Sequence, residues 1–241
     1  MRNAGDRFPW WLVIVAVTGG IVVFSMLSSS RYVDAFVYLL QGVGLTVVIS
    51  LASFCVALII GLVFGLGRIS NNQALYTIAT LYVEVVRGVP LLVVIIYVHF
   101  VVAPYLGTNR QPIVSGILAL SFGYGAYLAE VYRGGIESVE RGQMEAARSL
   151  GMTNYQAMRY VVLPQAVRRI IPPLGNDFIA MLKDSSLVSA IAVAELMKRG
   201  QIEAARTFDT FRTYNTVAVL YLCLTLLLSL LVRSLERRLS Q

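Results

Sequence analysis

Between residues 174 and 194 an apolar run carries Asn176, Asp177, Lys183, Asp184, Ser185 and Ser186. A central Asp or Lys in a membrane helix costs about 2.5–3.5 kcal/mol on insertion scales. Asp177, Lys183 and Asp184 deep in lipid would together cost on the order of 8–10 kcal/mol by that scale. Such residues should instead line protein or a water-filled cavity. Helical spacing sorts them onto two neighbouring stripes, Asp177, Met181, Asp184 and Val188 on one and Asn176, Ala180, Lys183 and Leu187 on the other. A seam with both charge signs suits a zwitterion, whose carboxylate wants a cation and whose ammonium wants an anion. It equally suits an ion pair, Lys183 with Asp184 or across helices, that only assembles the bundle. Both readings stay open for Lys183, and a place near the membrane interface favours the structural one for Asp177.

Little else in the chain could do covalent chemistry. There is a single histidine, His99, and the two cysteines, Cys55 and Cys223, fall in apolar runs outside any CxxC or metal-ligand spacing. Neither a nucleophile–base constellation nor a G-x-x-x-x-G-K-[ST] phosphate loop is present. Glu84/Arg87 and Glu130/Arg133 pair opposite charges at i and i+3, worth about 0.2–0.5 kcal/mol each as helix-end ion pairs. Tyr97, Phe100, Tyr124 and Tyr127 read as packing residues or interfacial anchors.

The elements that must position the seam are membrane spans. The chain of 241 residues is 57% hydrophobic and only 14% charged, against roughly a quarter charged in soluble domains. It reads as an all-α, polytopic integral membrane protein, a helical bundle of about six transmembrane helices. The expected spans are Trp10–Leu27, Phe36–Leu66, Leu75–Ala103, Ile113–Val131, Leu174–Ala194 and Tyr214–Val232. The second and third exceed a bilayer's thickness and should tilt or protrude. Arg2 and Arg7 before the first run and SMLSSS after it also fit a signal peptide. The net charge of +7 follows from topology rather than nucleic-acid binding. With both termini inside, Arg68, Arg87, Arg133, Arg141, Arg148 and Arg159 fall on the cytoplasmic side. The outer side holds Lys198, Arg199, Arg206 and Arg212, interspersed with Glu195, Glu203 and Asp209; Ile202, Ala205 and Phe208 there suggest a surface-lying helix.

The connection after the fourth span is polar, basic and helical in pattern. Gln143–Leu150 holds good helix formers, with Glu145 placed in the first turn, where a carboxylate favours the helix dipole. Gly151 supplies a left-handed C-cap, and Thr153 with Gln156 forms a capping box for a second helix that Pro164 disturbs. Two short helices joined by a sharp turn fit a protein-docking surface better than DNA recognition, and small Ala146 and Ala147 would let a partner approach closely.

The spacing E-A-A, three residues, G, nine residues, a β-branched residue, one more, then L-P (Glu145, Ala146, Ala147, Gly151, Val161, Leu163, Pro164) resembles the EAA loop of ABC-importer permeases. YVEVVRGVPLLV (Tyr82–Val93), AYLAEVYRGGIESV (Ala126–Val139) and PPLGNDFIAMLKDSSLVS (Pro172–Ser189) extend the resemblance to the polar amino acid branch, the histidine, arginine and glutamine permeases. The resemblance implies a five-helix type I importer core over residues 36–241, a coupling loop over about 134–170, and an additional N-terminal span within residues 1–35. It also implies a cytoplasmic ABC ATPase dimer that alone binds ATP, so that no cofactor belongs to this chain. A second permease subunit, the same or a related chain, and an extracytoplasmic substrate-binding protein complete the implied assembly. On this resemblance Glu145, Ala146, Ala147, Ser149, Leu150, Gly151, Met152 and Thr153 meet the ATPase. Asp184, Lys183, Ser185, Ser186, Asp177 and Asn176 are the expected substrate-facing residues, with basic or amide amino acids favoured. The competing reading is an ion-coupled secondary carrier that uses Asp184 and Lys183 as coupling residues.

Overall fold

The computed structural model describes residues 19–20, 30–105, 107 and 111–239. The expected first span, Trp10–Leu27, lies outside the described residues apart from its two glycines. Among the described residues from Ser30 onward there are nine α-helices: α1 Ser30–Arg68, α2 Gln73–Gly88, α3 Leu91–Tyr105, α4 Pro112–Glu137, α5 Arg141–Ser149, α6 Asn154–Ala157, α7 Leu163–Asp184, α8 Leu196–Thr207 and α9 Thr210–Leu239. No strand occurs among the described residues. Helices α1, α4 and α9 are each long and apolar enough to cross a membrane. Lipid-facing character is plain on α9, where Leu222, Leu226, Leu227, Leu230 and Leu231 are exposed.

The expected span Leu75–Ala103 is not one helix. It breaks between α2 and α3 with a bend of 104°. Pro90 is the cause: it forces Val89 into an extended conformation (φ −104°, ψ 134°) and ends α2. The proline then caps α3, its carbonyl accepting from the N–H of Val93 at 2.9 Å. Further on, α3 widens into a π-turn over Val98–Val102, and buried His99 there meets the Ser115 hydroxyl of α4 at 2.6 Å.

Helices α1 and α4 form the centre of the bundle, and glycines bring them together. A Cβ on Gly61 would lie 2.6 Å from Leu128 Cβ, and one on Gly65 2.9 Å from the Ala129 carbonyl. This is the small-residue spacing that lets membrane helices approach closely. Ala57, Tyr124, Leu128 and Met181 join α1, α4 and α7 in one buried cluster. Leu39, Leu196, Val217 and Leu220 join α1, α8 and α9 in another.

At the end of the bundle that carries α5, Arg68 reaches both Glu130 and Glu84, the latter at 3.5 Å. The Glu130–Arg133 pair forms as the spacing predicts, at 2.7 Å. In place of the expected Glu84/Arg87 pairing, Glu84 meets Arg68 and Arg87 lies over the Tyr127 ring, 5.5 Å from its centroid.

Candidate functional site

The connection between α4 and α7 is built as a rigid corner. Helix α5 starts at Arg141, directly after a turn over Ser138–Glu140, so Glu145 lies in its second turn and not, as the sequence suggested, its first. Gly151 has φ +87°. Its N–H donates to Arg148 O at 2.9 Å and the Met152 N–H to Ala147 O at 3.2 Å, the paired bonds of a Schellman turn. The capping box then forms in full: Gln156 N–H to Thr153 Oγ1 at 3.3 Å and Thr153 N–H to Gln156 Oε1 at 2.9 Å.

The second helix is not short. Pro164 does not end it; the missing proline N–H is absorbed by a π-turn over Met158–Val162, where the Leu163 N–H bonds Met158 O. Helices α6 and α7 thus make a continuous helical rod over residues 154–184, about 45 Å long at the α-helical rise. Helix α5 rides on this rod. Val139, Val162, Ala166 and Ile170 pack together beneath it with Met144, and Arg169 binds the Ser138 carbonyl.

Glu145, Ala146, Ser149, Leu150, Gly151 and Thr153 face outward and Met152 is half-buried, whereas Ala147 is buried with Ala157. Ala147 therefore closes the two helices on each other instead of admitting a partner. Leu150 is 81% exposed, Tyr155 73% and Tyr160 66%. These apolar side chains lie bare on an otherwise polar loop. The two tyrosines escaped the sequence reading because an aromatic beside a capping box has no periodic signature.

At the far end of the rod the polar seam divides. Asp184 accepts the Tyr124 hydroxyl at 2.7 Å, while Met181 and Val188 of the same stripe are buried. Lys183 and Asn176, on the neighbouring stripe, are exposed. No Lys183–Asp184 ion pair forms, since successive helical residues point about 100° apart; Lys183 has no ion-pair partner among the described residues. Ser185 is buried with its hydroxyl on Leu182 O at 2.8 Å, Ser186 and Asp177 are half-buried, and α7 stops at Asp184. The expected helical span to Ala194 gives way to a 3₁₀ segment, Ser185–Ile191, closed by Ala192 at φ +64°. Tyr124 had been assigned to packing; its glycine neighbours Gly123 and Gly125, which admit Leu91 and Ile60 against α4, were the available signal of an inward-facing position.

Helix α8 forms where a surface helix was expected, and Ile202, Ala205 and Phe208 do face outward. Of the acids expected in the outer loop, Glu195 is fully buried at the α8 N-cap and Glu203 is buried as well. Burial raises the pKa of the Glu195 carboxyl, and donors from Met197, Tyr221, Lys198 and Thr46 partly offset the rise. A separate recess of about 640 Å³ opens between the arms of the α2–α3 bend, lined by Val85, Val89, Val94, Tyr97, Leu118 and Phe122 among others. It offers no charge to hold a zwitterion.

The fold matches that of ABC-transporter chains of known structure. The crystal structure of an amino acid ABC transporter with histidines aligns at TM-score 0.80 and 38% identity, covering 88% of this chain and 98% of that one. An inward-facing structure of the MetNI methionine ABC transporter shares the fold at TM-score 0.74 and 23% identity, over 85% of this chain and 97% of that one. The class is that of ABC-transporter membrane subunits. More particularly, the family model of the binding-protein-dependent transport system inner membrane component matches residues 57–241, and the chain belongs to that family. The glutamine transport system permease protein GlnP of Escherichia coli is 37% identical over 201 residues, 83% of this chain and 92% of that protein. The probable glutamine ABC transporter permease protein GlnM of Bacillus subtilis is 39% identical over 212 residues, 88% and 94% respectively. Membership of this family overturns the reading as an ion-coupled secondary carrier.

Proposed function

We propose that this chain is the permease subunit of an ATP-driven importer of polar amino acids, with basic and amide side chains favoured. The observation that carries this reading is the continuous rod over residues 154–184, which joins an exposed docking corner at one end to Asp184 at the other. ATP is bound and hydrolysed by a pair of partner ATPase subunits, one of which seats on Glu145, Ala146, Ser149, Leu150, Gly151, Met152 and Thr153 of this chain, with Tyr155 beside them. Ala147 supports that surface from beneath. The corner faces the cytoplasm, and a binding protein delivers substrate at the opposite face.

Closure of the ATPases pushes on α5, and the rod carries the displacement to the seam. There Asp184, oriented by Tyr124, meets a cationic or amide group of the substrate, with Asp177, Asn176, Ser185 and Ser186 lining its route. Lys183 is exposed within the membrane region of a single chain, a position that needs water or a counter-charge. A second permease subunit across the path satisfies this requirement, with the Lys183 ammonium available to the substrate carboxylate. The chain itself performs no covalent step.

The test is reconstitution. Proteoliposomes containing the permease, its ATPase and its binding protein should accumulate a basic or amide amino acid only when ATP is supplied. Accumulation by the permease alone, without nucleotide, would refute the reading.

A further inference from the structure

Glu195 is fully buried, and it holds three elements at once. Its Oε1 accepts the Lys198 N–H at 2.8 Å and its Oε2 the Met197 N–H at 2.9 Å, which caps α8. The same Oε2 accepts the Tyr221 hydroxyl of α9 at 2.8 Å and, at 3.3 Å, the Thr46 hydroxyl of α1, whose one proton is shared with the Gly42 carbonyl at 3.1 Å. Thr46 Oγ1 in turn accepts the Leu196 N–H at 3.1 Å. Capping alone asks for no more than a Ser, Asn or Asp at the surface. A buried carboxylate is costly unless donors surround it, and here those donors come from separate helices.

The location gives the clamp its purpose. Along α1, Thr46 stands about 33 Å from Arg68 at the helical rise, so the clamp lies well away from the α5 end, and α8 runs on from it beside the N-terminal half of α1, where Arg199 meets Gln41. Between the Tyr124-bonded Asp184 and the clamped Glu195 the chain is neither α-helical nor relaxed. Its Ser185–Ile191 segment is 3₁₀, with the poorer hydrogen-bond geometry that marks hinges, and Ala192 holds a left-handed φ of +64° that side chains other than glycine rarely adopt. A hinge with one end at the substrate seam transmits motion only if its other end is fixed.

Resting on the importer reading, we propose that Glu195 is a positioning residue for transport. It locks α8 to α1 and α9, so that displacement of Asp184 moves the outer ends of those spans together instead of being lost as local rearrangement of α8. The coupling element is therefore physical and named: the 3₁₀ hinge between two hydrogen-bonded anchor points.

Tyr221→Phe removes one leg of the clamp and leaves the α8 cap in place, whereas Thr46→Val removes another leg together with the acceptor of the Leu196 N–H. In proteoliposomes of the complete complex, amino acid transported per ATP hydrolysed should fall about tenfold in Tyr221→Phe, the scale of one lost hydrogen bond to a charged group. A similar fall is expected in Thr46→Val, with the amount of assembled complex near wild type. Glu195→Gln sets an amide nitrogen, which cannot accept, against at least one of the four donors, and its ratio should fall at least as far. An unchanged transport-to-ATP ratio in Tyr221→Phe and Thr46→Val would overturn the proposal, as would loss of assembly in both, which would assign the cluster to folding. Wild-type accumulation without ATP would overturn the importer reading and this assignment together. ATP-driven wild-type import with unchanged ratios in the variants would overturn the assignment alone.

Discussion

Gly151→Ala isolates the docking corner. The residue has φ +87°, and a Cβ added there would meet nothing within 4 Å. Steric crowding by neighbours therefore contributes nothing, and the whole effect is backbone. An L-residue in the left-handed region costs about 1–2 kcal/mol, which lowers the ratio of native to rearranged corner by about 5–30-fold. The two bonds that define the corner, Gly151 N–H to Arg148 O and Met152 N–H to Ala147 O, are the ones the chain must break to relieve that strain. The spans are untouched, so membrane insertion and yield should match wild type. Binding of the ATPase, measured by titrating purified ATPase against the permease in nanodiscs, should weaken measurably, by up to about 5–30-fold. Gly151→Asn provides the control, since asparagine visits the left-handed region far more readily; it should recover most of the affinity. Wild-type affinity in Gly151→Ala, or an asparagine variant as weak as the alanine one, would show that the left-handed turn does not present the docking surface.

Further expectations concern the seam and the bundle. Tyr124→Phe removes the 2.7 Å bond to Asp184 and should raise the Michaelis constant for uptake about tenfold, with little change in thermal stability; an unchanged constant would separate Tyr124 from substrate recognition. Asp184→Asn should shift competition in uptake assays away from basic amino acids, and an effect on expression alone would assign Asp184 to assembly. Arg68→Ala leaves Glu130 with Arg133 but takes away the partner that ties α4 to α1 and α2, and should destabilise the detergent-solubilised protein by about 2 kcal/mol, read as a lower melting temperature. Gly61→Ala drives a methyl to within 2.6 Å of Leu128 Cβ and 3.1 Å of the Ala129 nitrogen, which should cost about 1–3 kcal/mol through overpacking. Unchanged melting would mean that α1 and α4 separate more easily than their packing suggests.

Local and compositional information was sufficient for much of this protein. Hydropathy over the length of a bilayer marks α1, α4 and α9, because apolar residues enough to cross lipid leave an unambiguous run. The turn at Gly151 and the box at Thr153 were legible because capping chemistry involves residues only a few positions apart. The EAA spacing pointed to the family for the same reason. The bend at Pro90 was present in the sequence as Gly88-Val89-Pro90, but hydropathy averages across a break and reads one long span.

What tertiary structure decided were the partners at long separation. Whether Asp184 would pair with its neighbour Lys183 or with Tyr124, 60 residues away, depends on which face of α7 meets α4, and charge spacing along one helix does not contain that. Ala147 is buried and Ala146 exposed, a distinction set by how α5 lies on the rod. Glu195 reads as one more acid in a charged connection, yet Thr46 and Tyr221, which approach from 149 and 26 positions away, make it the most buried carboxylate of the described chain. A buried polar group is stabilised by donors supplied by the folded bundle, so its role follows from the packing of α1, α8 and α9 and not from its own neighbours in sequence.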